Sequence, residues 1–409
     1  TRLQGDWNSD VCSSDLDMTR FWPFPPNWRN SVNVNYEFRT QTLTSREKRE
    51  QRIALRNEPR MSFSFLTTVH RNTYQALARE VTQGLAGDWW VMDPTTGVGV
   101  VAGAPAGGDT ITPNVIMPWM TVGRKVVLAA GSRIALFTIN GVGAALSFEE
   151  TFEQAWPAWT KINLARRGWI APTSTMTLPV NNLAEMTVNF ETMPGSEPVQ
   201  IIEPPTALFN GREIFLKRPN WQETPQATLE AYREIVDYGK GRIGSFSMAD
   251  FLPVTRKFTY HGKDRTELES IRQFFLRMTG QQGEFYMPTW ADDITPKAGL
   301  VSGQNTLRVD GLAFRDAYQD DTIHKAIAVL RSNGSMLFRS VTGISADDGD
   351  SIVTVGSAWP ANIPVTDIVS ISWMPVWRLM SDTLSVEWLT DEKGQLVLTM
   401  KMLEDLPGE

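Results

Sequence analysis

The feature that most constrains this chain is an internal repeat. Residues 60–94 and 256–293 follow one plan: an alternating aromatic run, an amphipathic stretch, and a short aromatic close. Phe63-Ser64-Phe65 matches Phe258-Thr259-Tyr260, and Trp90-Val91-Met92 matches Phe285-Tyr286-Met287, each at an offset of 195 residues. Between them, Tyr74, Leu77 and Val81 form an i, i+3, i+7 stripe that returns as Leu268, Ile271 and Phe275. Such spacing predicts a helix after a strand, in both places.

The repeat extends well beyond this segment. Pro26-Asn27-Trp28 returns as Pro219-Asn220-Trp221 and Asn140-Gly141 as Asn333-Gly334, both at an offset of 193. Asn-Gly predicts a hairpin because both central residues of a type I′ turn need positive φ. Ala155-Trp156-Pro157 returns as Ala358-Trp359-Pro360 at an offset of 203. The second copy has therefore gained residues, which the turn-rich Asp347-Asp348-Gly349-Asp350 is expected to hold. A chain of 409 residues exceeds a single small core. Two tandem related modules follow, residues 18–195 and 219–409, with a proline-bearing linker over 196–218 that limits the angle between them.

Alternation supplies the strands. Val32, Val34, Tyr36 and Phe38 share one side of residues 32–43, while Asn33, Asn35, Glu37 and Arg39 share the other. Residues 44–57 carry a dense charge run, read either as a solvated loop or helix face or as a basic edge that meets a neighbouring subunit. Residues 97–108 read as a flexible Gly/Ala loop, without the spacing of a dinucleotide fingerprint. Residues 125–148 read as several strands, and each copy closes with a strand pair, over 175–190 and 382–400. The expected fold class is α+β and β-rich, each module a β-sandwich or barrel-like domain with one amphipathic helix.

Chemistry is sparse. Residues 1–17 resemble a non-native leader from sequencing-adapter read-through, lacking the basic start and apolar run of a signal peptide. Without its one base and four acids the net charge of -7 becomes -4, which favours neither nucleic acid nor a basic membrane contact. Cys12, the single cysteine, lies in that leader, so disulfides and thiolate sites are excluded beyond it. No stretch reaches the roughly 18 apolar residues that a membrane span needs. The histidines His70, His261 and His324 read as isolated, short of the three or four ligands a metal needs. Asp292-Asp293, Asp320-Asp321 and the acids at 347–350 offer carboxylates, but the last lacks the twelfth-position glutamate of an EF-hand, Ala358 standing there. Its composition predicts a hairpin tip. The pairs Trp89-Trp90 and Phe285-Tyr286 read as packing residues or as part of a subunit interface. No catalytic, cofactor-binding or metal residue is assigned, and no enzyme activity is expected.

Two segments carry a family resemblance. Glu50-Gln51-Arg52-Ile53-Ala54-Leu55-Arg56, followed by Pro59-Arg60 and an aromatic strand, resembles the opening of distal-tail-type proteins of long-tailed bacteriophages. Residues 378–387, beginning Arg378-Leu379-Met380-Ser381-Asp382, are similar to the closing strands of phage tail-tip and hub proteins. The likeness spans residues 21–407 as two copies. It implies a virion structural protein of the tail tip, a homo-oligomer (trimer or hexameric ring) joining tail tube, hub, baseplate and receptor-binding fibres. It implies neither nucleic-acid binding nor a membrane span. The second copy departs where Gly239-Lys240-Gly241-Arg242-Ile243 replaces the Glu-Gln-Arg run, so the two modules need not make the same contacts. The alternative is a carbohydrate-binding or depolymerising tail component using aromatics such as Trp90 and Trp290.

Overall fold

In the computed structural model, the described residues are 20–45, 50–84, 87–194, 202–221, 226–229, 233–241, 243–247 and 254–405. The leader (1–17), the tip of the charge run (46–49) and the start of the expected linker (196–201) lie outside them. Among the described residues strands make up 51% and helices 9%, the β-rich α+β class that alternation predicts.

The first half contributes β1 (Arg20–Phe21), β2 (Val32–Thr44), β3 (Glu50–His70), α1 (Arg71–Gly84), β4 (Trp89–Met92), β5 (Lys161–Ile170), β6 (Met176–Val180) and β7 (Leu183–Thr192). Their pairings run β1, β4, β5, β7, β3, β2, with β1 parallel to β4 and β6 flanking β7. The second half contributes β8 (Arg212–Ile214), β9 (Gln226–Leu229), β10 (Arg233–Asp237), β11 (Ile243–Ser247), β12 (Val254–Gly262), α2 (Arg265–Met278), β13 (Glu284–Tyr286), β14 (Val376–Leu379), β15 (Thr383–Trp388) and β16 (Gly394–Leu403). Its pairings run β8, β13, β14, β16, β12, β9 in the same sense, with β8 parallel to β13 and β15 flanking β16. β10 and β11 pair as a separate hairpin. β8 and the buried Phe215 fall inside the expected linker 196–218.

Between β4 and β5, strands Val98–Gly99, Thr110–Ile111, Lys125–Ala130, Arg133–Val142 and Leu146–Phe148 form a barrel-like unit that includes the start of β5. Between β13 and β14, Thr306–Val309, Ala326–Arg331, Met336–Asp347, Asp350–Val355 and Ile368–Trp373 form a five-stranded counterpart. Each unit has its own apolar core, and each buries the tryptophan of its Ala-Trp-Pro segment, Trp156 or Trp359. An arginine, Arg133 or Arg339, lies over each indole.

Several expectations need correction. The first hairpin of the first unit turns at Gly131 (φ 63), whereas Asn140-Gly141 lies within Arg133–Val142 beside a register shift. Asn333-Gly334 is a true turn, with Asn333 Oδ1 accepting from the Ser335 amide. Asn140-Gly141 and Asn333-Gly334 therefore do not occupy equivalent positions, contrary to expectation. The wider 332–335 turn lies ahead of Asp347, so the extra length of the second half does not all sit in the 347–350 hairpin. Residues 97–108 are anchored at points: Val98, Val100 and Ala104 are buried and a Cβ on Gly103 would lie 2.4 Å from the Trp156 carbonyl oxygen, while residues 101–103 and 105–107 are exposed. The described part of the charge run is the far end of the β2–β3 hairpin, strand where a loop or helix was expected.

Pairing also favours an alignment of the two halves that differs by one or two residues from the expected one. Trp89 and Val91 share the main core with Phe285 and Met287, so Trp89 corresponds to Phe285, and Trp90 to Tyr286. The Asn33–Ser64 pair corresponds to Gln226–Lys257 at an offset of 193 for both strands, which matches Phe65, not Phe63, with Phe258. A one-residue slip exchanges the faces of a strand, so burial decides between such alignments.

Candidate assembly interface

The two halves meet strand to strand. β2 pairs antiparallel with β15, from Val32–Trp388 to Glu37–Thr383, and one sheet runs through both halves. The apolar faces of these strands, Val34, Tyr36 and Phe38 against Leu384, Val386 and Trp388, enter a core to which both helices contribute. Two tandem modules with a stiff joint were expected. The apolar faces of β2 and β15 lie side by side on one sheet surface, and a single core takes side chains from both halves.

Local sequence explains how α2 is held there. Asp264 caps it by accepting from the Glu267 amide at 2.8 Å, and Glu267 accepts in turn from the Lys263 amide at 2.9 Å. Thr279 (φ 50) and Gly280 (φ 65) end it with left-handed turns. The Phe275 ring meets Phe38 at 5.5 Å, and Arg272, chelated by Glu269, lies 5.5 Å over Tyr36. Burial raises the Tyr36 phenol above its ordinary value, which keeps it neutral.

Two polar clusters fasten the joint. Asp382 accepts from the Thr40 amide at 2.7 Å, the Thr40 hydroxyl at 2.8 Å and the Gln281 amide at 3.0 Å, while its own carbonyl accepts from the Phe38 amide at 2.9 Å. One carboxylate thus ties β2, β15 and the end of α2 together. In the second cluster, Arg52 donates to Glu50 at 2.6 Å and to the Gln281 side chain at 2.7 Å. Glu50 also accepts from Lys401 at 3.1 Å and lies 3.7 Å from Arg378, which pairs with Glu284. Burial pushes the Glu50 carboxyl up, but Arg52 and Lys401 pull it down by more, so it lies below its ordinary value. Burial lowers the Arg378 guanidinium, with Glu284 opposing.

Glu50 and Arg52 belong to the run that carries the family resemblance, and in the fold they fasten one half to the other. Their counterparts by register are Ile243 and Ser245 on β11, so the Glu-Gln-Arg run stands opposite residues 243–245 and not the expected 239–243, whose first members precede the strand. Asp382 escaped the sequence reading as a fastener because its partners lie more than 100 residues away in the chain.

The residues considered for chemistry are dispersed. Asp292 and Asp293 accept from the backbone amides of Ile371 and Trp373. Asp347 and Asp350 flank the expected hairpin tip and pair with Arg308, Asp350 also with Lys297. Hydrogen bonds from Lys297 and Arg308 hold the Asp350 carboxyl down at about 2. His324 Nδ1 lies 2.5 Å from Asp321, which corrects the reading of all three histidines as isolated. His70 is exposed, and His261 borders an open cleft of about 460 Å³ together with Lys217, Arg218, Glu267 and Trp290. Trp290 takes a left-handed φ of 59 beneath Arg218. Trp89, Phe285 and Tyr286 are buried and Trp90 half-buried. Among the described residues no three His, Cys, Asp or Glu side chains are grouped to hold a metal ion, and no helix is long and apolar enough to cross a membrane.

No known protein family matches the chain, and no characterised protein matches it in sequence.

Proposed function

We propose that the chain is a structural protein of a bacteriophage tail tip, built from two tandem related modules. It joins the tail tube to the baseplate or receptor-binding fibres through its subunit interfaces. The observation that carries this reading is the β2–β15 junction: the edge of one half accepts a strand from the other, and the sheet continues through both. The resemblance around Glu50 and around Asp382 supplies the tail context, and residues from both segments fasten the junction.

Three copies of a two-module chain present six similar positions, which lets a threefold hub meet a sixfold tube. The closed ring is read by mass: purified protein should run as three chains, and a stable monomer at high concentration overturns the ring. The tail assignment is read separately, with antibodies against this chain on virions whose genome encodes it. Label at the distal end of the tail is expected, and virions that carry none at that end refute the assignment.

A further inference from the structure

We infer that the outer edge of β6 in one copy receives β9 of a second copy, repeating between chains the junction that β15 and β2 make within one. The argument starts from register. The pairs Met176–Met186 and Thr177–Glu185 of the β6–β7 hairpin correspond, at an offset of 210, to Val386–Leu396 and Glu387–Gln395 of the β15–β16 hairpin. β6 therefore stands on the first half where β15 stands on the second. β9 stands on β12 as β2 stands on β3, at an offset of 193. The chain thus has two strand-donating edges and two strand-accepting edges, and the internal junction uses one of each.

The remaining two have the character of unfilled positions. Among the described residues β6 pairs only with β7, and β9 only with β12. Both carry exposed apolar side chains: Leu178 is 58% exposed on β6 and Leu229 70% on β9. In the adjoining β10–β11 hairpin, Ile243 is 68% exposed. A free strand edge is a template for another strand, and folded proteins normally blunt one with charge, proline, a bulge or cover. Pro179 and a register shift after Thr177 blunt the far end of β6, which leaves its start at Met176 and Thr177, with Ser174 and Thr175 ahead of it, as the open part. The helices point the same way. α2, covered by β2, buries seven residues, whereas α1 buries Leu77 alone among its described side chains and leaves Tyr74 and Val81 half-exposed.

Transferring the internal register sets the contact. Asn35–Ser385 becomes Thr228–Thr175, Val34–Val386 becomes Ala227–Met176, and Tyr36–Leu384 becomes Leu229–Ser174. Met176 already packs against the main core, so the incoming Ala227 would extend that core as Val34 does inside the chain. The donor and acceptor edges differ, so the contact is head-to-tail; it propagates from copy to copy and closes only as a ring. This inference rests on the assembly reading above and is independent of the tail assignment.

Disulfide trapping tests it in a Cys12→Ser background. Directly opposed residues of antiparallel strands lie within disulfide reach, and Asn35→Cys with Ser385→Cys should close the internal junction as a positive control. Thr175→Cys and Thr228→Cys, co-expressed so that both enter the same particle and then mildly oxidised, should give a covalent dimer, while neither variant alone gives one. The double variant should give one closed covalent species. A dimer from either single variant, or no dimer from the co-expressed pair while the control closes, overturns the edge pairing. A three-chain particle without cross-links overturns these edges and leaves the ring standing. A rising covalent ladder supports the edges and overturns the closed ring.

Discussion

Asp382→Ala is the sharpest perturbation of the internal junction, because one side chain holds three separate elements. The alanine removes the charged acceptor of the Thr40 amide, the Thr40 hydroxyl and the Gln281 amide, at 2.7, 2.8 and 3.0 Å. A hydrogen bond to a charged group contributes about 1.5–3 kcal/mol when protected. The site is half-exposed, so water recovers part of each, and about 2–4 kcal/mol is expected for the three together. At about 1.4 kcal/mol per factor of ten, opening of the junction should rise roughly thirty- to several-hundred-fold. Hydrogen exchange read by mass spectrometry reports this on peptides covering residues 36–44 and 278–284. Peptides from the barrel-like units, residues 125–142 and 326–347, should keep their wild-type rates. Asp382→Asn retains an oxygen acceptor without the charge and should fall between wild type and alanine. A rise below about threefold at both junction peptides, or an equal rise throughout the molecule, would refute the view that Asp382 fastens a separable joint.

Two further outcomes follow from the same contacts. The Glu50 carboxyl lies below its ordinary value, so its contribution is fully present above the unfolded carboxylate value of about 4.3 and is lost as pH falls through the lower folded value. Protection of the junction peptides, corrected for intrinsic exchange, should therefore drop relative to the barrel-like units between about pH 5 and pH 3, and Glu50→Gln should flatten that drop; parallel curves for wild type and variant would sink the assignment. Trp359→Ala removes a side chain that is 1% exposed and donates to the Thr306 carbonyl at 3.0 Å, for a local loss of about 3–5 kcal/mol. Peptides from residues 326–355 should lose protection while those around Trp156 do not, and equal loss in both units would show that they are not independent.

Local pattern made the elements legible and left their partners hidden. The stripe of Leu268, Ile271 and Phe275 lies on α2 and is buried, and the alternation of Val32, Val34, Tyr36 and Phe38 is the buried face of β2. Period alone suffices for such features, because one buried side leaves one apolar row. Turns were less legible: Asn-Gly at 140–141 has hairpin chemistry, yet the pairing of Arg133–Val142 with its neighbours keeps it inside a strand. The one-residue slip at Trp89 arose because two adjacent aromatics fit either alignment, and only burial separates core from flank. The junction itself was illegible, because β2 meets β15 at a separation of about 350 residues with no motif shared between the strands. Its clearest trace was the resemblance around Glu50 and Arg52, a surface run in one reading and a fastening in the fold.

The contrast between the internal junction and the proposed outer one bears on how the wrong assemblies are avoided. If β9 of another copy displaced β2, Ile243 and Ser245 would arrive where Glu50 and Arg52 belong. Lys401, with a side chain only 8% exposed, would then lose the Glu50 carboxylate, while Arg378 would keep Glu284. Leaving a largely buried charge without its partner costs several kcal/mol, more than an apolar contact at one strand recovers. The ion cluster thus reserves the inner edge for the chain's own β2, while the outer edges present Leu178 and Leu229, which place no such demand on a partner. A head-to-tail interface made of two similar strand pairs can exchange its members unless something distinguishes them. Here the distinction is made by replacing one Glu-Gln-Arg run with an Ile-Gly-Ser run at corresponding positions of the two halves.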